Sequence, residues 1–289
     1  MKKISVFTVI NGALLFVLAF LCLFPFVHLL ALSFSSVNAA NMGSVWLWPV
    51  EFTTNAYEII LGKSEFWKAA LVSLERLVLG VPLQMFMTIL AAYPLSKPKE
   101  RFRYRGFFTW LFFITMLFGG GMIPDYLLVR QLGLMDTIWA LVIPCALPVY
   151  NMVILMNFYR QLPSEIEEAA IVDGENQWNI MWKIWTPLAL PCIATLTLFS
   201  VVGHWNSWFD GIVYMNMPDN YPLQSYLRTV IQKVDTTDLS IDNWRELSGQ
   251  SERTLKACQI IVASIPVLVF YPFAQRYFVK GITLGGVKG

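Results

Sequence analysis

Charge is scarce in this chain. Only 14% of its 289 residues are charged, against roughly 25% in an ordinary soluble domain, while 56% are hydrophobic and the mean hydropathy is +0.56. From Ile4 to Val50 no Asp, Glu, Lys or Arg occurs. So apolar a chain belongs in a membrane. Histidine is scarce too: with His28 and His204 alone, no HExxH or His-rich constellation can be built, and no metal site is expected. Cys22, Cys145, Cys192 and Cys258 stand singly, without the spacing of a zinc site or disulfide framework, and read as packing residues. Asp235, Asp238 and Asp242 lack EF-hand spacing and read as a solvated loop. No GxxxxGK[ST] loop is present, since Gly119-Gly120-Gly121 leads to no Lys-Ser or Lys-Thr. The chain thus has no engine of its own. A net charge of +2 without a basic stripe gives no footing for nucleic acid. No nucleophile, base and orienting group stand together, so no catalytic residue is expected.

What is abundant is apolar sequence in long runs. Six segments approach the roughly 20 residues needed to cross a bilayer: 6–33, 69–95, 106–128, 137–158, 187–209 and 257–278. The expected fold class is an all-α membrane protein of six transmembrane helices, with residues 1–289 read as one transmembrane domain. The first segment is too long for the apolar core of a cleaved signal peptide. Lys and Arg set the orientation. With the N-terminus inside, the inner segments hold twelve of them, five in the short stretch KPKERFRYR (Lys97 to Arg105), and the outer segments hold eight. Both termini are therefore expected in the cytoplasm, together with a loop over 160–187 and a tail over 279–289, and 210–256 is expected outside.

The inner loop contains LPSEIEEAAIVDG, Leu162 to Gly174, an acidic stretch between two oily ones. Pro163 discourages continuation of the preceding span, Ser164 with Glu167 reads as a capping box, and Gly174 reads as a helix stop. Glu165, Glu167 and Glu168 favour the positive end of the helix dipole. Ala169 and Ala170 give small side chains that another surface can approach closely. Helices that lie on the anionic inner leaflet are rich in Lys and Arg; this one is acidic, which favours a protein partner over lipid.

Glu168-Ala169-Ala170, then Gly174, Ile184 and Pro187, resemble the EAA loop of permease subunits in bacterial binding-protein-dependent ABC importers, with Thr186 in place of the usual leucine. The chain end FAQRYFVKGITLGGVKG (Phe273 to Gly289) and AAYPLS (Ala91 to Ser96) are similar to the maltose-transporter permease family, in the carbohydrate subgroup. The resemblance implies a type I importer permease fold in the bacterial cytoplasmic membrane, with the acidic stretch as a coupling helix. Glu165, Glu168, Ala169, Ala170, Asp173 and Gly174 would meet a separate dimer of ATP-binding cassette subunits, and the tail at Gly281, Gly285 and Gly286 would reach the same dimer. Mg-ATP would be bound by that partner and no cofactor by this chain. A second permease and an extracytoplasmic solute-binding protein would complete the importer, with a carbohydrate as cargo.

Intramembrane polar groups are costly and face a bundle interior or a wet cavity. His204, Trp205 and Asn206 in GHWNSWFDG offer aromatic faces beside hydrogen-bonding groups, which suits either a sugar pathway or an interfacial aromatic belt. Glu75 and Arg76, about 100° apart on a helix, must face different neighbours, either pathway or packing partner; Asn151 stands under the same two readings. In the outer loop LQSYLRTVIQKV places Leu223, Leu227, Val230 or Ile231, and Val234 on one stripe of an amphipathic helix. The competing class is a secondary transporter driven by an ion gradient. It would need ion-coupling groups, for which Glu75 is the clear candidate, and commonly an internal repeat, of which none is visible.

Overall fold

The computed structural model describes residues 6–235 and 252–285, and among them every regular element is helical. The chain gathers into two compact units, Met1–Trp67 with Tyr226–Pro266, and Lys68–Ser225 with Val267–Gly289.

In the first unit, helix α1 (Val6–Ser33) is apolar all round; its described residues from Phe7 to Leu23 are exposed, whereas Phe24, His28, Leu29 and Leu32 are partly covered and Ala31 and Ser33 are buried. Beyond it the Ser36 hydroxyl accepts the Ala39 N–H to open α2 (Val37–Met42), which ends at Gly43 with φ of 70°. Helix α3 (Asn55–Leu61) follows. Ala31, Ala39 and Val45 form a small core here, and Phe34 stacks on Tyr57 with ring centroids 4.6 Å apart.

Helix α4 (Ser64–Ser96) has 33 residues, about 50 Å at 1.5 Å per residue and so longer than the hydrocarbon requires. Next come α5 (Arg105–Leu117) and α6 (Met122–Gln131), bent by 113° across the glycine run, where Gly121 has φ of 88°. The stretch read as one span over 106–128 is therefore two helices, because three successive glycines carry no side chains to hold a helix straight. Likewise 137–158 divides into α7 (Ile138–Val142) and α8 (Val149–Tyr159), separated by a segment holding Pro144 and Pro148. Helix α9 (Ser164–Val172) is the acidic stretch. After it come a short turn of helix, a π-helical segment Ile180–Trp185 and the helix Leu190–Asn206, entered through an 82° bend. The main core of this unit collects Ala92, Met152, Leu155, Tyr159, Ile180 and Leu196 from α4, α8 and these later helices.

The amphipathic helix expected within 210–256 forms over Leu223–Asp235, with Leu223 and Leu227 buried. Asp238, Asp242 and Gly286 lie outside the described residues, while Gly281 and Gly285 fall in the helix Glu252–Gly285. Among the described residues two helices are long and apolar enough to cross a membrane, or four if each bent pair counts as one span.

Candidate functional site

Helix α9 presents two faces of different character. Glu167 and Ala170, three apart, point inward and are buried, whereas Glu165, Glu168, Ala169, Val172 and Asp173 are exposed, Val172 at 86%. Glu167 is 3% exposed and faces Lys97, itself 6% exposed, with Nζ 2.9 Å from Oε2. Arg101 approaches the other oxygen, Nη1 to Oε1 at 2.9 Å, and its Nη2 lies 3.8 Å from Glu168 Oε1. The Lys97 ammonium also sits over two rings, 3.8 Å from the Tyr93 centroid and 4.2 Å from that of Trp185. Those rings and Tyr159 meet edge to face, closing an aromatic cage. Burial pulls the Lys97 pKa below its ordinary value, and Glu167 opposes that shift. The basic stretch also ties down the end of α4. Arg105 donates to the Lys97 carbonyl at 2.8 Å, and Arg160 donates to the Leu95 carbonyl at 3.1 Å, serving acceptors that a helix end leaves open.

The capping box expected of Ser164 and Glu167 does not form. No side chain caps α9, and Pro163 stands at its N-cap. A buried ammonium holds the Glu167 carboxylate more strongly than the backbone N–H of Ser164 could, since charge-assisted contacts in a desolvated setting outweigh a solvated cap. The helix stop does form. Gly174 has φ of 82°, Glu175 N–H donates to the Ala170 carbonyl and Gly174 N–H to that of Ile171, each at 3.0 Å, a Schellman motif. Tyr93 then donates to Gln177 Oε1 at 2.8 Å, which fastens the chain after α9 to α4. Thr186, the departure from the EAA pattern, donates to the Met181 carbonyl at 2.8 Å and so closes the wide turn of the π-helical segment. Leucine could not make that bond.

A second buried cluster lies in the same unit. Arg76 on α4 grips Asp210 through both terminal nitrogens, Nη1 to Oδ1 at 3.2 Å and Nη2 to Oδ2, while its Nε donates to His204 Nδ1 at 3.2 Å. Because Nε–H donates there, Nδ1 of His204 accepts and its proton resides on Nε2. Asp210 accepts further bonds from the Ser207 hydroxyl and the Gly211 N–H. Gly80, one turn from Arg76, makes room for the imidazole: a Cβ there would stand 2.6 Å from His204 Cε1. Of the six residues read as a substrate pathway, Arg76 and His204 come together, Trp205 and Asn151 are buried, and Glu75 and Asn206 are exposed.

Sequence reasoning did not single out Lys97, Tyr93 or Trp185, and it gave Glu167 a different task. Nothing in a linear reading joins Lys97 to Glu167. Asp210 stood inside a quoted motif, and a costly intramembrane arginine calling for an acid was the signal that could have paired it with Arg76.

A protein-family profile described as "binding-protein-dependent transport system inner membrane component" matches residues 59–284. The polygalacturonan/rhamnogalacturonan transport system permease protein YtcP of Bacillus subtilis is 39% identical over 99% of this chain and 100% of its own length. Protein LplC of the same organism is 38% identical over 100% and 97%. A permease chain from a crystal structure of a bacterial ABC transporter that imports the acidic polysaccharide alginate superposes with a TM-score of 0.84 at 33% identity, covering 96% of this chain and 98% of that one. The chain belongs to the inner membrane components of binding-protein-dependent transport systems, the permease subunits of ATP-driven importers.

Proposed function

We propose that this permease imports oligosaccharides and that α9 is its coupling helix. The two-faced construction of α9 carries the reading. Its inner face is locked to the end of α4 by Lys97 and Arg101, and its outer face is free to meet another protein. A helix so fixed transmits displacement rather than absorbing it. Rotation of an ATPase dimer against Glu165, Glu168, Ala169 and Asp173 would move α4 and the segment after Gly174 together. Ala170 packs into this chain's own core, so the close approach falls to Ala169. Gly174 serves the turn, and the tail at Gly281, Gly285 and Gly286 adds a second contact with the ATPase.

The chain crosses the membrane six times with both termini in the cytoplasm, the broken helices α5 and α6 counting as one crossing. Mg-ATP is bound by the partner ATPase, and a second permease completes the pore. Arg76, His204, Trp205 and Asn151 support the pathway wall from within, and the exposed Glu75 and Asn206 face the pathway. Saccharide cargo is supported by two of these similar proteins, whose names specify polygalacturonan or rhamnogalacturonan and alginate.

Reconstitution in vesicles tests the reading. Uptake of oligosaccharide should require this chain, the second permease, the ATPase, the binding protein and ATP together. Uptake driven by an ion gradient without ATP would overturn it.

A further inference from the structure

One cleft in the first unit has no role in the coupling just described. It holds about 400 Å³ and is lined in part by Phe24, His28, Gly43, Val45, Trp46 and Arg253, within the size range of small-ligand sites. Three kinds of chemistry meet there. Trp46 is 68% exposed and offers an open indole face. His28 Nδ1 lies 2.8 Å from the Trp46 carbonyl oxygen; a carbonyl only accepts, so Nδ1 carries the proton and Nε2 of the neutral ring is left as an acceptor. Arg253 is steadied by donating to the Ala40 carbonyl at 3.3 Å, yet its guanidinium has no carboxylate partner among the described residues.

We propose that this cleft is a subsite for a uronic acid unit of the transported oligosaccharide. The inference rests on the saccharide reading of the preceding subsection and adds the charge and the place of recognition. A pyranose ring lays its C–H face on an indole, a ring hydroxyl donates to His28 Nε2, and the carboxylate meets the planar fork of Arg253, whose geometry it matches in bidentate fashion. A neutral sugar leaves the guanidinium without its counter-charge, and a bare inorganic anion leaves the indole uncovered. A saccharide ring that carries its own anionic group uses all three, and a uronic acid is such a ring.

The test uses the complete importer in vesicles of neutral lipid, with trigalacturonate and its methyl ester as probes. The quantity read is the ratio of kcat/KM for the charged probe to that for the ester. The binding protein is common to all variants, so its own preference cancels. Arg253→Gln should lower the ratio about tenfold, the scale of one charge-assisted contact, and Arg253→Lys should recover part of it. Trp46→Ala should slow both probes together and leave the ratio where it was. A ratio unmoved by Arg253→Gln, in vesicles that take up both probes, overturns the subsite alone. Wild-type vesicles that take up another oligosaccharide with ATP but neither probe overturn the subsite and leave the saccharide reading standing.

Discussion

Replacing Glu167 by Gln removes one carboxylate and leaves the Lys97 ammonium in its aromatic cage without a counter-charge. Both groups are more than nine-tenths buried, so the solvent screening that makes surface pairs nearly worthless is absent. Breaking a buried pair from one side costs about 3–5 kcal/mol. The ring contacts of Lys97 persist in the variant and do not change the difference. Arg101 also loses a partner, but its side chain is 35% exposed and Glu168 stays within 3.8 Å, so little is added. Glu167→Gln is therefore expected to lose about 3 kcal/mol or more, read as a shift of the urea midpoint of the chain in detergent micelles at unchanged slope. Lys97→Met together with Glu167→Gln removes the orphaned charge and should return to within about 1–2 kcal/mol of the wild type, since no uncompensated charge is left buried. pH supplies a second signature. The native Lys97 pKa is already below 10.5 and falls further without Glu167. Between that native value and 10.5 the unfolded chain binds more protons than the native one, so stability rises with pH and the defect of Glu167→Gln should shrink as pH is raised. Equal stability of the single and double variants, or a defect that grows with pH, refutes the reasoning.

Other expectations follow from the same geometry. Arg76→Gln strands Asp210 and should cost about 3 kcal/mol, the lower end of the range for a buried pair because Asp210 is 22% exposed; thermal unfolding of the purified chain checks it. Gly80→Ala drives a methyl into the His204 ring and should cost about 1–3 kcal/mol, and adding His204→Ala should relieve it, whereas additive losses would contradict the contact. At Gly174 a Cβ meets nothing within 4 Å but φ is 82°, so Gly174→Ala should cost about 1–2 kcal/mol through conformation alone and Gly174→Asn less. Asp136 accepts from Asn220 Nδ2 and from the N–H groups of Asn216 and Met217, which hold its pKa below 3.8. Its stabilising contribution is complete above pH 3.8 and is lost as pH falls through the lower native value, so the difference in melting temperature between wild type and Asp136→Ala should close in acid.

Much of the fold could be read from hydrophobic runs and punctuation. The acidic helix and its stop at Gly174 required only local chemistry, and α1 and α4 only length and apolarity. The breaks at Phe118–Gly121 and between α7 and α8 were visible as glycine and proline, but a span rule that counts apolar residues passes over them. The side chains that fix α9 were hidden for a different reason. Lys97 and Arg101 served in the sequence as markers of the inner face, and Glu167 as part of a cap; only packing brings an acid and a base seventy positions apart into one cage. The acidity of α9, read from sequence as pointing to a partner, thus divides in two. Glu167 neutralises the chain's own basic loop, and Glu165, Glu168 and Asp173 remain for the docking surface.

That docking surface is tested most directly by cross-linking. With Cys22, the exposed native cysteine, replaced by Ala, Ala169→Cys in the assembled importer should react through a short bismaleimide with the ATPase subunit, and the yield should change when ATP is added. A cysteine at Trp46 should give no ATPase product. If Ala169→Cys gives no product with the ATPase in an importer that still transports, the outer face of α9 is not where the two subunits meet.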